Sequence, residues 1–435
     1  MAVSLTIQTY FDGRWHDAAE VQFLEPHRGH EGATTFFYDI DYFSEYASID
    51  HSQDVPVVDR RAVSSWLPVD LATRRSERWP SFLLDLMPQG LGRAMACAAL
   101  GLAPLSPSCE LPLLAAVGGS PVGNVRIAGA PVGGIAWEGF SVEDVLEGRD
   151  DVMAALRTVP TVAPAAICLQ GEWPKVALVE DAAGLLHPEG CIPDEAVAAS
   201  YIVKFPRKLR GPDPAILALE ATYMDVAAAA GLHVHARPRL GKDCLLVPRF
   251  DREPGGGRHG QESLVSASGI AAFGHPATHE DYLATIARVS SDVAADTSEY
   301  VARDLINLAF GNPDNHGRNT ALSRPAHGGV RLSPLFDFAP MSVAGQAIRR
   351  ATSWACMRGR GSDHDPDWSV IVEAASVIGQ VDGGPIMERL LGVAESIPAL
   401  AQKVREADVS NESAAHALRR ADEVASSVSR TGRRA

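Results

Sequence analysis

The stretch GNPDNHGRN, residues 311–319, most constrains how this chain can fold. Proline removes a backbone donor, and Asn, Asp and Gly favour turns, so these residues neither continue a helix nor sit inside a sheet. Upstream, Val301, Leu305 and Leu308 recur on one face of a helix that Ser298 can cap and Gly311 ends. Downstream, Thr320–Leu322 and Val330–Phe338 are strand-like. The loop is therefore expected between a helix and short strands, with Asp337 inside the apolar run LFDF. A carboxylate in such a strand is costly to bury unless it is paired or metal-bound.

The rest of the chain changes character along its length. Residues 3–10 and 35–43 are rich in β-branched and aromatic side chains and read as strands. Residues 81–87 and 92–100 look helical, and 112–128 mix an apolar run, a Gly-rich turn and a strand. In SYIVKFP, residues 200–206, Tyr201, Val203 and Phe205 share one strand face, while Ile202 and Lys204 share the other. Asp213 is a candidate N-cap for a helix running to Leu232, and 243–250 is a further strand. The run Pro254–Gly257 reads as a flexible break at a lobe boundary. From about residue 262 the pattern is mostly helical, again so from Trp368 to the end. These shifts imply a small α+β unit at 1–125, a sheet-rich lobe at 126–255 and a helical lobe at 256–435.

The net charge is −15. Phosphate repels such a chain, so direct nucleic-acid binding is not expected. Arg419, Arg420, Arg430, Arg433 and Arg434 make the end locally basic and read as a solvated helix end. The six cysteines contain no C-x-x-C pair, which argues against a zinc knuckle or a thioredoxin-like site. There is no signal-like leader and no apolar run of about 18 residues, so a cytoplasmic protein without a membrane span is expected.

Asp314 and Asn319 lie five positions apart in the loop, and Asp337 follows. Phosphoryl transfer needs such a set. One carboxylate orients the attacking hydroxyl and accepts its proton, while an amide oxygen and a second carboxylate hold Mg²⁺ against the phosphates of ATP. The bland alternative is that Asn-Pro-Asp-Asn only makes a turn. His316, between the two, suits a supporting hydrogen bond better than chemistry. Lys204, mid-strand among apolar residues, is the candidate cation for the phosphates, and Lys175, after Gly171, is a second. No Walker A pattern occurs.

Together these residues resemble the HipA-like serine/threonine kinases, the toxin half of HipBA-type toxin–antitoxin systems. GNPDNHGRN with LSPLFD is similar to the family's catalytic and metal-binding segments, SYIVKFP to its lysine strand, and LLVPRFDRE to its hinge. LEATYMDVAAAAGLHVHARPRL, FLLDLMPQGLGRAMA and LLAAVGGSPVGNVRI extend the resemblance over roughly residues 5–340. It implies a two-lobed kinase-like α/β fold with ATP between the lobes. It makes Asp314 catalytic, Asn319 and Asp337 Mg²⁺ ligands, and Lys204 and Lys175 phosphate contacts. Phe250 would line the adenine pocket, with Asp251 facing the nucleotide. A protein substrate such as an aminoacyl-tRNA synthetase, growth arrest, and a small helix-turn-helix HipB-type antitoxin are further implications. The chain departs from the family at Pro248, where Glu is common, and in PAAICLQGEWPK, which lacks the regulatory serine. A small-molecule phosphotransferase and a pseudokinase-type binding protein remain alternatives.

Overall fold

β-branched and aromatic residues in the first forty positions build a sheet that packs against a hydrophobic core. The structure, a computed structural model, describes every residue except 1, 51–54, 57, 121, 134–136, 160–165, 167–168, 170, 345–349, 361–364 and 433–435. Arg433, Arg434 and part of the PAAICLQ stretch lie outside the described residues. Backbone contacts divide the chain into two units, one of 1–205, 241–275 and 322–330, the other of 206–240, 276–321 and 331–435.

In the first unit, an antiparallel sheet runs in the order Arg74–Ser76, Thr34–Tyr38, Arg14–Phe23, Val3–Phe11, Val125–Ile127. Asp12 and Gly13, both with positive φ, close its central hairpin, as an Asp-Gly turn should. Ile7, Phe11, Val21, Phe23 and Phe36 face a core that includes Trp79, Leu83 and Met87. The strand expected over 35–43 stops at Tyr38. Asp39 accepts from the N–H groups of Asp41 and Tyr42 and starts a helix, Ile40–Tyr46. Residues 81–84 form only a 3-10 turn, whereas the next expected helix is present at Gly90–Ala99.

A second antiparallel sheet in this unit carries Leu245–Pro248, Val197–Lys204, Lys175–Asp181, Leu185–Pro188 and Phe140–Ser141, in that order. Tyr201, Val203, Val176, Leu178 and Leu246 pack on one face, against Val142, Val145, Val152 and Leu156. Lys204 falls on the other face, in direct register with Lys175. Pro254–Gly256 is no flexible break. It is a tight 3-10 turn joining Arg252–Glu253 to Gly257–Arg258, with Gly255 and Gly256 at φ 75° and 77°.

Four buried charges bind this unit together. Arg249 donates to Glu189 (2.5 Å) and to both Asp251 oxygens (2.9 and 2.7 Å). Arg252 donates to Asp251 (2.6 Å) and Glu189 (3.0 Å), and the Gly123 N–H donates to Asp251 (2.7 Å). Burial alone would raise the Glu189 carboxyl, but Arg249, Arg252 and Arg258 outweigh it and hold it at about 2.

The second unit is helical: Asp213–Ala229, His279–Val289, Val293–Ala309, Trp368–Gly379, Gly383–Arg405, Asn411–Ala417 and Ala421–Gly432. Two expected helix starts move. Asp292, not Ser298, accepts from the Ala295 N–H and caps Val293–Ala309, so Ser298 lies inside that helix. Asp213 lies in the first turn of its helix, where its carboxylate takes Arg207 (2.8 Å) and the Lys208 N–H (3.2 Å). Among the described residues no helix is long and apolar enough to cross a membrane.

Glu189→Gln strands buried guanidinium groups and is expected to cost about 3–5 kcal/mol at pH 7 in denaturant titrations. Because the folded Glu189 value lies below its unfolded value of 4.5, its stabilisation is complete above that pH and fades as pH falls through about 2. The gap between wild type and variant should shrink over that window; a gap constant from pH 7 to pH 2 contradicts the assignment.

Candidate active site

The helix Val293–Ala309 ends because Gly311 takes φ 65°, a conformation open to glycine. A side chain there would also meet the Ser342 Oγ at 2.5 Å. The Asn312 N–H returns to the Asn307 carbonyl (2.9 Å), and its side-chain amide donates to the Asn307 side chain (2.9 Å). With its nitrogen so held, the Asn312 side-chain oxygen accepts from the Asp314 N–H (3.2 Å). From the other side, the Asn319 side-chain nitrogen donates to the Asp314 carbonyl (3.0 Å), and the Asn319 N–H to the His316 carbonyl (2.9 Å). The Asp314 backbone is thus gripped by two asparagine side chains. His316 stands beside it, Nε2 3.4 Å from Asp314 Oδ1. Gly317 is needed for space, since a Cβ there would lie 2.3 Å from the Tyr282 ring.

Asp337 is not in a strand. Only Arg331–Leu332 is extended in a ladder, and Asp337 takes φ 56°, a left-handed conformation uncommon for a residue other than glycine. The cause lies in its neighbours' partners. The Leu335 N–H is drawn to the His233 carbonyl (2.8 Å), and the Ser333 carbonyl accepts from Arg303 (2.8 Å). Leu335 and Phe338 are buried, Phe338 against Tyr223 with ring centroids 4.8 Å apart. The chain turns between them and leaves Asp337 half-exposed.

Asp314, Asn319 and Asp337 line one open cavity, together with Asn315, Arg303 and Asp304. The structure therefore brings together the three residues singled out from the loop and LFDF. Among the described residues no group of three or more His, Cys, Asp or Glu side chains is suited to a metal. The cavity is lined by the carboxylates of Asp304, Asp314 and Asp337 and by the Asn319 amide, with Asp304 engaged by Arg350 and Trp354. That is a fit for Mg²⁺, which keeps much of its shell as water and substrate phosphate and prefers hard oxygen donors.

A second wall of this cavity escaped the sequence reading. Asp304 accepts from Arg350 and from the Trp354 indole N–H (2.9 Å), with His279 Nε2 at 3.5 Å. Burial pushes the Asp304 carboxyl up, but Arg350, His279 and Trp354 prevail and hold it below its ordinary value. The signal was present, an aspartate in the mostly apolar helix end DLINLAF, but Arg350 and Trp354, which hold it, lie 46 and 50 positions downstream.

The remaining sequence candidates belong to the first unit. Lys175 opens the strand Lys175–Asp181, and its Nζ lies close to Gly171, where a Cβ would come within 2.8 Å. Lys175 and Lys204 are direct cross-strand neighbours, a like-charge pairing that destabilises a sheet unless an anion offsets it. Phe250 is half-buried. Asp251 is buried, and its oxygens accept from Arg249, Arg252 and the Gly123 N–H.

The chain is similar to known proteins. The protein Y4mE of Sinorhizobium fredii, provisionally named a kinase, is 29% identical over 278 residues, covering 59% of this chain. The chain spans 63% of the length of that relative. A chain from the Shewanella oneidensis MR-1 complex of HipA, HipB and operator DNA superposes with a TM-score of 0.64 at 17% identity, covering 98% of this chain and 97% of its own. That likeness shows the fold, and the expected kinase-like α/β fold is the one found. Residues 167–427, more than half of the sequence, match the HipA-like C-terminal domain, and this chain belongs to that family.

Proposed function

We propose that this chain is an ATP- and Mg²⁺-dependent serine/threonine protein kinase of the HipA kind. The observation that carries the reading is the convergence of Asp314, Asn319 and Asp337 on one cavity, with the Asp314 backbone fixed on both sides. Asp314 would orient the substrate hydroxyl and accept its proton as the hydroxyl oxygen bonds to the γ-phosphorus and ADP leaves. The Asn319 side-chain oxygen and the Asp337 carboxylate would hold Mg²⁺, and the nitrogen of Asn319 is already committed to Asp314. When bound, Mg²⁺ supplies neutralisation of the charge on the transferred phosphoryl group. The Lys175–Lys204 pair, direct cross-strand neighbours, would bind phosphate oxygens.

Family membership and the provisional name of Y4mE support the kinase reading. The Shewanella oneidensis assembly, in which HipA stands with HipB and operator DNA, supports a small helix-turn-helix antitoxin as partner. In such an assembly the partner would carry the DNA contact, because this chain's net charge is −15. The proposed target is a translation protein such as an aminoacyl-tRNA synthetase, with growth arrest as the outcome. Pro248, which occupies the position of a common hinge glutamate, favours as second reading a pseudokinase that binds partners without transferring phosphate.

With labelled ATP and lysate proteins as acceptors, Asp314→Asn should lower phosphate transfer by about 10²–10⁴-fold while leaving the melting temperature unchanged. Equal transfer by variant and wild type contradicts the role of Asp314. Transfer to small alcohols but not to proteins would point to a small-molecule phosphotransferase, and absence of transfer to the pseudokinase. Lys204→Met removes a charge-assisted contact and should raise the apparent KM for ATP by about 10–100-fold. A KM within twofold of wild type would mean that Lys204 does not meet the phosphates.

A further inference from the structure

Asn315 lies between the proposed catalytic aspartate and His316, and no part of the mechanism uses it. Its side chain behaves as an inserted peptide group. The oxygen accepts from the N–H groups of Ala351 (3.1 Å) and Thr352 (3.2 Å), and the nitrogen donates to the Thr352 carbonyl (3.0 Å). The same nitrogen stands 3.4 Å from His279 Nε2. One short side chain thereby satisfies three backbone groups of a segment that is some 36 positions away in sequence.

That segment is pinned at its flanks by the acidic wall of the cavity. Arg350 and the Trp354 indole both donate to Asp304, which lines the cavity beside Asp314 and Asn315. Just beyond, the Glu280 carboxylate accepts from the N–H groups of Ala355 (2.8 Å) and Cys356 (2.9 Å). Thr278 and Ser353 form an isolated bridge, and the His279 N–H donates to the Ser353 carbonyl (3.1 Å). Residues 350–356 are thus held by Asp304 and His279, which line the cavity, and Asn315 ties them directly to the loop that carries Asp314.

We propose that Asn315 is a positioning residue: it clamps residues 351–352 to the Asp314 loop, so that alignment of Asp314 requires the 350–354 segment to be seated. This rests on the kinase reading above for its catalytic consequence, and on the hydrogen bonds alone for the clamp. Asp314 touches the substrate hydroxyl in that reading, and Asn315 acts only through Asp314. The effect belongs on the turnover step rather than on nucleotide binding, since neither Asn315 nor residues 351–352 include a phosphate-binding cation.

The test combines amide hydrogen exchange with steady-state transfer, using the full chain and two variants. Asn315→Ala deletes the acceptor of both amides, so exchange at Ala351 and Thr352 should accelerate about tenfold. Asn315→Asp keeps that acceptor and should retain most of the protection. In transfer of γ-phosphate from labelled ATP into lysate protein, Asn315→Ala should lower kcat about tenfold with KM for ATP within twofold. Unchanged exchange in Asn315→Ala overturns the clamp. Faster exchange with unchanged kcat overturns the positioning role, as does a rise in KM with kcat retained. If the alanine variant does not fold, the aspartate variant with native exchange at Ala351 and Thr352 still supports the clamp, and lost protection there overturns it. A wild-type chain without transfer activity overturns the kinase reading and the catalytic half of this inference, while exchange still decides the clamp.

Discussion

The hydrogen bond from the Asn319 side chain to the Asp314 carbonyl is the constraint on which the rest of the candidate site depends. It closes a loop that no helix or ladder supports. Asn312 holds the same residue from the opposite side through its N–H. An aspartate at a loop tip would otherwise sample many conformations, and a general base must stay within hydrogen-bond reach of one proton. Two neutral amides achieve this without placing a competing charge on the carboxylate. The same bond decides which end of the Asn319 amide is available to a cation.

Around this centre the chain uses buried ion pairs as fixing points within each unit. In one, Glu189 and Asp251 share Arg249 and Arg252. In the other, Asp304 takes Arg350, and Glu299 takes Arg303 and Arg389. Such pairs add little net stability compared with apolar packing, but losing one partner is severe. They therefore set geometry: Arg303, held by Glu299, in turn holds the Ser333 carbonyl and so the entry to the Asp337 turn.

Much of this was legible in the sequence. Turn chemistry at 311–319 gave the loop its place after an apolar helix, and period-2 alternation put Lys204 on the face opposite Tyr201 and Val203. What stayed hidden depended on partners distant along the chain. LFDF looks like a strand, but Leu335 bonded to His233 and the Ser333 carbonyl held by Arg303 accompany a left-handed turn at Asp337. RFDR suggested a ligand-facing Asp251, whereas the arginines on either side, joined by Glu189 from sixty positions upstream, claim it. Helix starts slipped because capping residues are frequent: Asp292 outcompetes Ser298, and Asp39 ends a strand that its aromatic neighbours favoured. The clamp by Asn315 was invisible, since nothing in the sequence pairs it with residues 351 and 352.

The account stands or falls on whether this chain binds a magnesium nucleotide. Calorimetric titration with a non-hydrolysable ATP analogue measures that directly, without a known protein substrate. The account predicts one binding event per chain in the presence of Mg²⁺, weakened when Mg²⁺ is replaced by a chelator, because a neutral amide at Asn319 and a negative carboxylate at Asp337 can meet the phosphates only through a bridging cation. No heat of binding under either condition, or binding indifferent to Mg²⁺, would contradict it.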